Sequence, residues 1–339
     1  MTTIDDVARR AGVSASTVSY ALSGKRTISA ATRLRVEKAI ADLGYTPHAG
    51  ARALASARTN VLALMAPLRP DVDVSVIMQF VTGVVTKARS HDYDVLLLTQ
   101  EDAAGLSRVA SGMVDGLILM DVEAQDPRIP VVTTLRQPTI LIGLPEDSRG
   151  ISCVDFDFDA AARMAVRHLR GLGHRNLALL GPPPAVLERH TTYADRLFTG
   201  YRAQCAADGL EPVIEATGTS HAAALAALDA VLTRSPGLTG LVVHNEAALA
   251  SVVSGLRDHG RHVGEDVAVL ALCPAYVAES QPIPITSIDI PALTIGEVAV
   301  EMLLERMAAP HAAETRLLAP TLHERQSTFP LQPPAPTGR

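Results

Sequence analysis

From residue 60 onward, short apolar runs of five to seven residues recur along the chain: VLALMAP, DVLLLT, DGLILMD, TILIG, ISCVD, NLALLG, GLVVHN, DVAVLAL and ITSIDI. Between them lie stretches such as AAARMAVRHLRGLGH and AALASVVSGLRDHG, whose apolar positions repeat at helical spacing. Strand and helix in alternation predict an α/β fold, with parallel sheets covered by helices on both faces. The first 60 residues have a different texture and read as three short helices. Thr3 caps the first, with Ile4, Val7 and Ala8 on its apolar face and Asp5 and Asp6 near its positive end. Gly12 turns the chain, Ser14 caps a second helix with Val18 and Leu22 facing inward, and Gly24 closes it. Ser29 starts a third helix, with Leu34, Val36, Ala39, Ile40 and Leu43 on its buried side, and Gly44 stops it. Two helices joined by a short glycine turn form a helix-turn-helix.

Composition agrees with a folded, two-part molecule. The 339 residues leave room for a small module beside a larger core. Hydrophobic residues make up 47%, mean hydropathy is +0.19, aromatics are 3% and tryptophan is absent. A core of Ala, Val, Leu and Ile suits buried parallel strands. The apolar runs are too short to span a bilayer, and MTTIDDVARR carries acids where a signal peptide would have an apolar stretch. Cys153, Cys205 and Cys273 are odd in number and lack ligand spacing, so neither a disulfide framework nor a metal site is expected. A cytoplasmic protein without cofactor or membrane partner is the reading.

Charge separates the two parts. Residues 1–60 hold nine Lys and Arg against four acids, a net of +5, while the remainder carries −11 of the overall −6. A basic head on an acidic body points to a head that meets a polyanion.

The run TIDDVARRAGVSASTVSYALSG, followed by ISAATRLRVEKAIADLGYTP and HAGARALAS, resembles the DNA-binding head and hinge helix of the lactose-repressor (LacI/GalR) family of bacterial transcription regulators, almost without gaps. That resemblance implies roles by position. Ala15, Ser16 and Tyr20 fall where the recognition helix faces base edges, and Thr17, Ser19, Ser29 and Thr32 fall at phosphate contacts, alongside the capping residues Thr3 and Ser14. Capping accounts equally for Ser14 and Ser29, and the two roles coexist. Tyr20 departs from the Arg of many relatives and offers one hydroxyl and an apolar ring instead of a bidentate grip on guanine. In the hinge, Leu54 matches the family's minor-groove wedge, with His48, Arg52 and Ala53 beside it. His48 replaces the usual Asn, and Gly50 weakens the helix.

The later signposts GHRNLALLG, GLVVHNEAALA, GEDVAVLAL, PITSIDIP and HERQSTFP resemble the same family more loosely. They imply a two-lobed flavodoxin-like (periplasmic-binding-protein-like) core with a ligand between the lobes at the strands' C-terminal ends. The expected division is a head over 1–46 and a hinge over 47–59. A core over 60–330 and a disordered tail over 331–339 follow. Within the core, 60–157 with 290–330 form the first lobe and 158–289 the second, so the chain crosses near 155–160 and 280–290. The expected effector contacts are Asp121, Phe158, Tyr193, Arg196, Asn245, Glu246 and Cys273. Three of these depart from the family. Arg196 stands one position before the usual Arg, Cys273 replaces an Asp, and Phe158 replaces an amide. Asp121 and Arg196 also have plain structural readings, as a cap and as an ion-pair partner, and Cys273 reads as a small buried hydrophobe.

No nucleophile elbow, phosphate loop or metal-spaced histidine pair occurs, so catalysis is not expected. The function implied is a homodimeric repressor on pseudo-palindromic, nucleoid-borne operator DNA, controlled by a small molecule, with a sugar or glycoside as the leading class. An activator or corepressor-dependent regulator uses the same parts. A solute-binding protein shares only the core and would need export.

Overall fold

The computed structural model describes residues 2–23, 26–45, 58–69, 73–99, 105–106, 113–309 and 311–331. The hinge candidates His48, Arg52, Ala53 and Leu54 lie outside the described residues, as does the chain from 332.

Three helices form the head: α1 (Ile4–Ala11), α2 (Ala15–Ser23) and α3 (Ala30–Leu43). Their ends follow from local chemistry. Thr3 and Asp6 form a reciprocal capping box, with the Thr3 N–H donating to Asp6 Oδ2 at 3.0 Å and the Asp6 N–H to Thr3 Oγ1 at 3.3 Å. Ser14 accepts the Thr17 N–H, and Ser29 the Thr32 N–H, each at 3.2 Å. Gly12 and Gly44 end α1 and α3 at φ of 62° and 58°, a region open chiefly to glycine. Val7, Ala8, Ala11, Val18, Val36, Ala39 and Tyr45 form the small core. Two expected core residues are exposed instead. Leu34 is 66% and Leu22 37% accessible. Leu34 lies two residues from Val36, about 200° round the helix, so it faces outward when Val36, Ala39, Ile40 and Leu43 face in. Leu22 stands at the rim, one turn beyond Val18.

The rest of the chain builds two six-stranded sheets. In order come β1 (Val61–Met65), α4 (Val74–Arg89), β2 (Asp94–Leu98), β3 (Gly116–Leu119), α5 (Ile129–Val132), β4 (Thr139–Ile142) and β5 (Ser152–Phe156). Then follow α6 (Phe158–Gly171), β6 (Leu177–Gly181), α7 (Pro184–Glu188), α8 (Thr192–Ala207), β7 (Val213–Ala216), α9 (His221–Arg234), β8 (Gly240–Val243), α10 (Leu249–Asp258) and β9 (Ala268–Leu272). The chain ends with α11 (Ala275–Glu279), β10 (Thr286–Ile288), α12 (Ala292–Ala308), β11 (Thr315–Leu318) and β12 (Leu322–His323).

Strand order is β11-β5-β4-β3-β1-β2 in the first sheet and β12-β10-β9-β8-β6-β7 in the second. Every pairing is parallel except β10 with β12. In each sheet the order reverses beside the lobe's first strand, β1 or β6, which opens a crevice at the C-terminal strand ends. One apolar cluster runs from Leu62 and Ile118 through Phe156 and Phe158 to Leu179 and Val242, joining the lobes, and separate clusters cover the other faces.

The chain passes between the sheets three times rather than twice: after β5, after β10 and again between β11 and β12. The expected first-lobe range 290–330 therefore breaks after β11. Beyond it, β12 pairs with β10, Ser327 O accepts the Val269 N–H at 2.9 Å, and the Leu331 N–H donates to Leu172 O at 2.7 Å. Residue 331, expected in the tail, thus belongs to the fold.

Close helix crossings fix each lobe. A Cβ on Gly83 of α4 would stand 2.0 Å from the Leu293 carbonyl oxygen of α12, and one on Gly200 of α8 would stand 2.4 Å from the Asp159 carbonyl of α6.

Candidate functional site

The head presents α2 as a short helix whose N-terminus is tied by hydroxyls. Ser14 Oγ lies 2.8 Å from both Ser16 Oγ and Thr17 Oγ1. Ser29 Oγ lies 2.9 Å from Thr32 Oγ1 at the start of α3. Thr3, Ser14, Ser16, Ser29 and Thr32 are at least partly accessible, and the Arg26 guanidinium covers the Tyr20 ring at 5.8 Å. Ala15 packs partly against the head's own core, so only part of its methyl is left to face outward. Ser19 sits on α2 between Val18 and Tyr20, half-buried.

The second site is a cavity of about 150 Å³ between the lobes. One water molecule needs roughly 10–15 Å³ on this measure, so the space suits a ligand of about monosaccharide size. First-lobe strands deliver Met120 and Asp121 after β3, Ile142 and Gly143 at β4, and Asp155 in β5. The start of α4 adds Asp73, Val76, Ile77 and Phe80. From the second lobe come Phe158 of α6, Thr192 and Tyr193 of α8, and His244, Asn245 and Glu246 beyond β8.

One wall is aromatic. Phe158 lies 5.1 Å from Tyr193 and 5.7 Å from His244, and Tyr193 stacks on His244 at 5.5 Å and 26°. His244 is 6% exposed, and neither ring nitrogen has a hydrogen-bond partner among the described residues. Burial pushes its pKa down to about 4, so the ring is neutral, with one donor and one acceptor facing no protein group. Glu246 is pushed up to about 7, chiefly by burial and then by the charge of Asp73. Asn245 is anchored, its Nδ2 donating to Thr217 O at 2.5 Å.

Asp121 sits at φ 53°, in the left-handed region rare for a non-glycine residue. The buried Arg128 guanidinium holds that bend through the carbonyls of Met120 and Asp121, at 3.0 Å each, while pairing with Asp126 at 2.6 Å. The Asp121 carboxylate meets Arg69 at 2.9 Å and Arg189 of the other lobe at 3.6 Å. Beside it the lobes are stitched together: the Ala124 N–H donates to His190 O at 2.8 Å, Glu123 bridges Thr191, and the Thr192 hydroxyl donates to Leu144 O.

Of the expected effector residues, Asp121, Phe158, Tyr193, Asn245 and Glu246 converge on the cavity; Arg196 and Cys273 do not line it. Arg196 pairs with Asp155, donates to Phe156 O at 3.0 Å and covers the Phe158 ring at 5.5 Å. It braces the strand end from behind. Burial raises the Asp155 pKa, and the Arg196 charge acts against that rise. Cys273 is fully buried in the second lobe's cluster, its thiol pushed far up by burial. Leu197, at the position of the family's usual Arg, is fully buried. Sequence reasoning missed Asp73, Asp155 and His244. His244 was the most accessible of these, since it directly precedes Asn245 at the end of β8.

A helix-turn-helix head on a two-lobed core that encloses a cavity between its sheets defines a ligand-responsive DNA-binding regulator, not an enzyme. Residues 3–48 match the bacterial regulatory proteins of the lacI family, and residues 166–328 a periplasmic binding protein-like domain. The transcriptional regulator CelR of Thermobifida fusca is 28% identical over 332 residues, 94% of this chain and 96% of its own. A solved CelR–cellobiose complex superposes with a TM-score of 0.70 at 25% identity, covering 97% of this chain and 100% of that one. The lac repressor dimer bound to operator and an anti-inducer has the same fold, with a TM-score of 0.83 at 22% identity over 97% and 99% of the two chains. The chain belongs to the LacI family of bacterial transcription regulators. Among the described residues no helix is long and apolar enough to cross a membrane.

Proposed function

We propose that this chain is a homodimeric repressor acting in the cytoplasm on nucleoid DNA, whose grip on a pseudo-palindromic operator is changed by a small sugar or glycoside bound between the lobes. The observation that carries this reading is the cavity itself, built from both lobes and sized for a monosaccharide. A ligand seated there binds the closed arrangement better than an open one, and only such a difference in affinity shifts the population that grips DNA. The CelR–cellobiose complex supports a sugar as the class of effector.

In this reading α2 enters the major groove with Ala15, Ser16 and Tyr20 toward base edges, and Thr17, Ser19, Ser29 and Thr32 face phosphates. Ser14 and Ser29 keep their capping bonds. Leu54 acts as the minor-groove wedge flanked by His48, Arg52 and Ala53. The domain division is a head over 1–46, a hinge over 47–59, and lobes that exchange chain after β5, β10 and β11. The dimer face is an apolar stripe on α4, where Val74, Met78 and Val85 are 47%, 41% and 40% exposed, continued by Leu293 and by Tyr276 of the second lobe.

The test is operator selection from random DNA with the purified full-length protein, followed by titration with neutral sugars and glycosides. Selection of an inverted repeat, with affinity altered by a sugar, is the expected result. Absence of any selected sequence overturns the regulator reading, and a selected site indifferent to every sugar overturns the effector class.

A further inference from the structure

The cavity is lined with acids. Among the described residues its lining contains four carboxylates, Asp73, Asp121, Asp155 and Glu246, and no Lys or Arg. Two of the four are balanced from outside the lining: Asp121 by Arg69 and Arg189, and Asp155 by Arg196. Asp73 caps α4 by accepting the Ser75 N–H at 2.8 Å, and neither it nor Glu246 has an ion-pair partner among the described residues. These two acids face one space from opposite lobes, and they repel. His244 of the aromatic wall lines the same space, nine-tenths buried with both ring nitrogens unpartnered among the described residues.

We propose that the effector carries a protonated amine on a polyol of about monosaccharide size, the ammonium seated between Asp73 of the first lobe and Glu246 of the second. The proposal rests on the cavity being the effector site and specifies what that site selects. An ammonium offers three donors and a compact charge. Its hydrogen bonds to carboxylates carry charge on both partners, adding a Coulomb attraction that a neutral hydroxyl lacks. A neutral sugar leaves Glu246 holding its proton beside the Asp73 charge, whereas an ammonium favours both carboxylates ionised and cancels their repulsion. The apolar face of the sugar ring packs on Phe158 and Tyr193, and the neutral His244 exchanges hydrogen bonds with its hydroxyls. Because Asp73 and Glu246 belong to different lobes, the same cation also ties the cleft shut.

The experiment compares glucose, glucosamine and N-acetylglucosamine, with the galactose and mannose counterparts, on the full-length protein. Thermal unfolding and operator binding are read together. At least one free amine is expected to raise Tm and shift operator binding at about tenfold lower concentration than its neutral partners. Asp73→Asn, which keeps an N-cap of equal quality, and Glu246→Gln are expected to shrink that preference to about threefold or less. The ligand-free unfolding curves of both variants report whether they fold. A neutral or acetylated sugar that binds as well as its amine overturns the proposal and leaves the sugar-responsive regulator intact. An amine preference that survives both substitutions overturns the seat. No shift from any amine overturns the proposal as well, while specific operator binding in the same experiment shows that the DNA-binding reading stands.

Discussion

His244 and Glu246, two residues apart beyond β8, titrate in opposite senses. Burial holds His244 down at about 4, so the folded state stays neutral where an unfolded His, near 6.5, already binds a proton. That stability is present above 6.5 and is lost as pH falls towards 4. Glu246 is raised from 4.5 to about 7, so the folded state keeps a proton that the unfolded state has released. Its contribution is present below 4.5 and is lost as pH rises to 7. Between 4.5 and 6.5 the two slopes oppose each other. Glu246→Gln removes one of them, so stability should rise with pH across 4–6.5, by about 1–3 kcal/mol. His244→Gln should leave the opposite slope, falling from 4.5 to 7. Urea unfolding across pH checks both, and parallel pH profiles in the two variants would show that neither group titrates as its burial requires.

Among the elements, the pair α4–α12 depends on a backbone contact that no side chain can replace. Gly83→Ala places a methyl 2.0 Å from a carbonyl oxygen that cannot rotate away. Overpacking of this kind costs about 1–3 kcal/mol, and thermal unfolding should show a lower Tm without loss of helix. An unchanged Tm would mean the helices separate freely. In the head, α2 carries Tyr20 under Arg26. Tyr20→Arg replaces a ring and one hydroxyl by a fork suited to guanine, so selection from random DNA should gain a G in each half-site. An unchanged site would remove Tyr20 from the bases. The head was legible because its signals are local: Thr3, Ser14 and Ser29 cap within three residues of themselves, and Gly12 and Gly44 stop the helices where they stand. The strands of the core were legible as apolar runs, but β12 has two residues and leaves no run to read. The cavity was only half legible. Phe158 and Asn245 follow directly from strand ends, whereas Asp73 joins them through packing between lobes far apart in sequence. Arg196 misled because its helix turns it towards Asp155, a partner 41 residues away that no spacing rule foretells.

At the scale of the whole molecule, function requires two heads held at one separation, and the exposed stripe Val74–Met78–Val85 is the surface that would hold them. These residues recur at intervals of four and seven, so they share one face of α4, distinct from the face that lines the cavity with Val76, Ile77 and Phe80. A two-fold axis through the middle of such a stripe brings the central residue, Met78, near its own copy, while the ends pair reciprocally. Met78→Lys therefore sets two like charges together in the dimer while leaving the cavity in each chain untouched. Lysine is preferable to glutamate because an added positive charge cannot weaken DNA binding by repelling phosphates. The expected result is a monomer in sedimentation at micromolar concentration, with operator affinity reduced about 10²–10⁴-fold as the second head loses its tether. Effector-induced stabilisation should persist. A variant that stays dimeric at full affinity would move the interface elsewhere. One that becomes monomeric yet binds the whole operator as before would show that the two half-sites are read without coupling, and that the lobes cannot control DNA by setting the spacing of the heads.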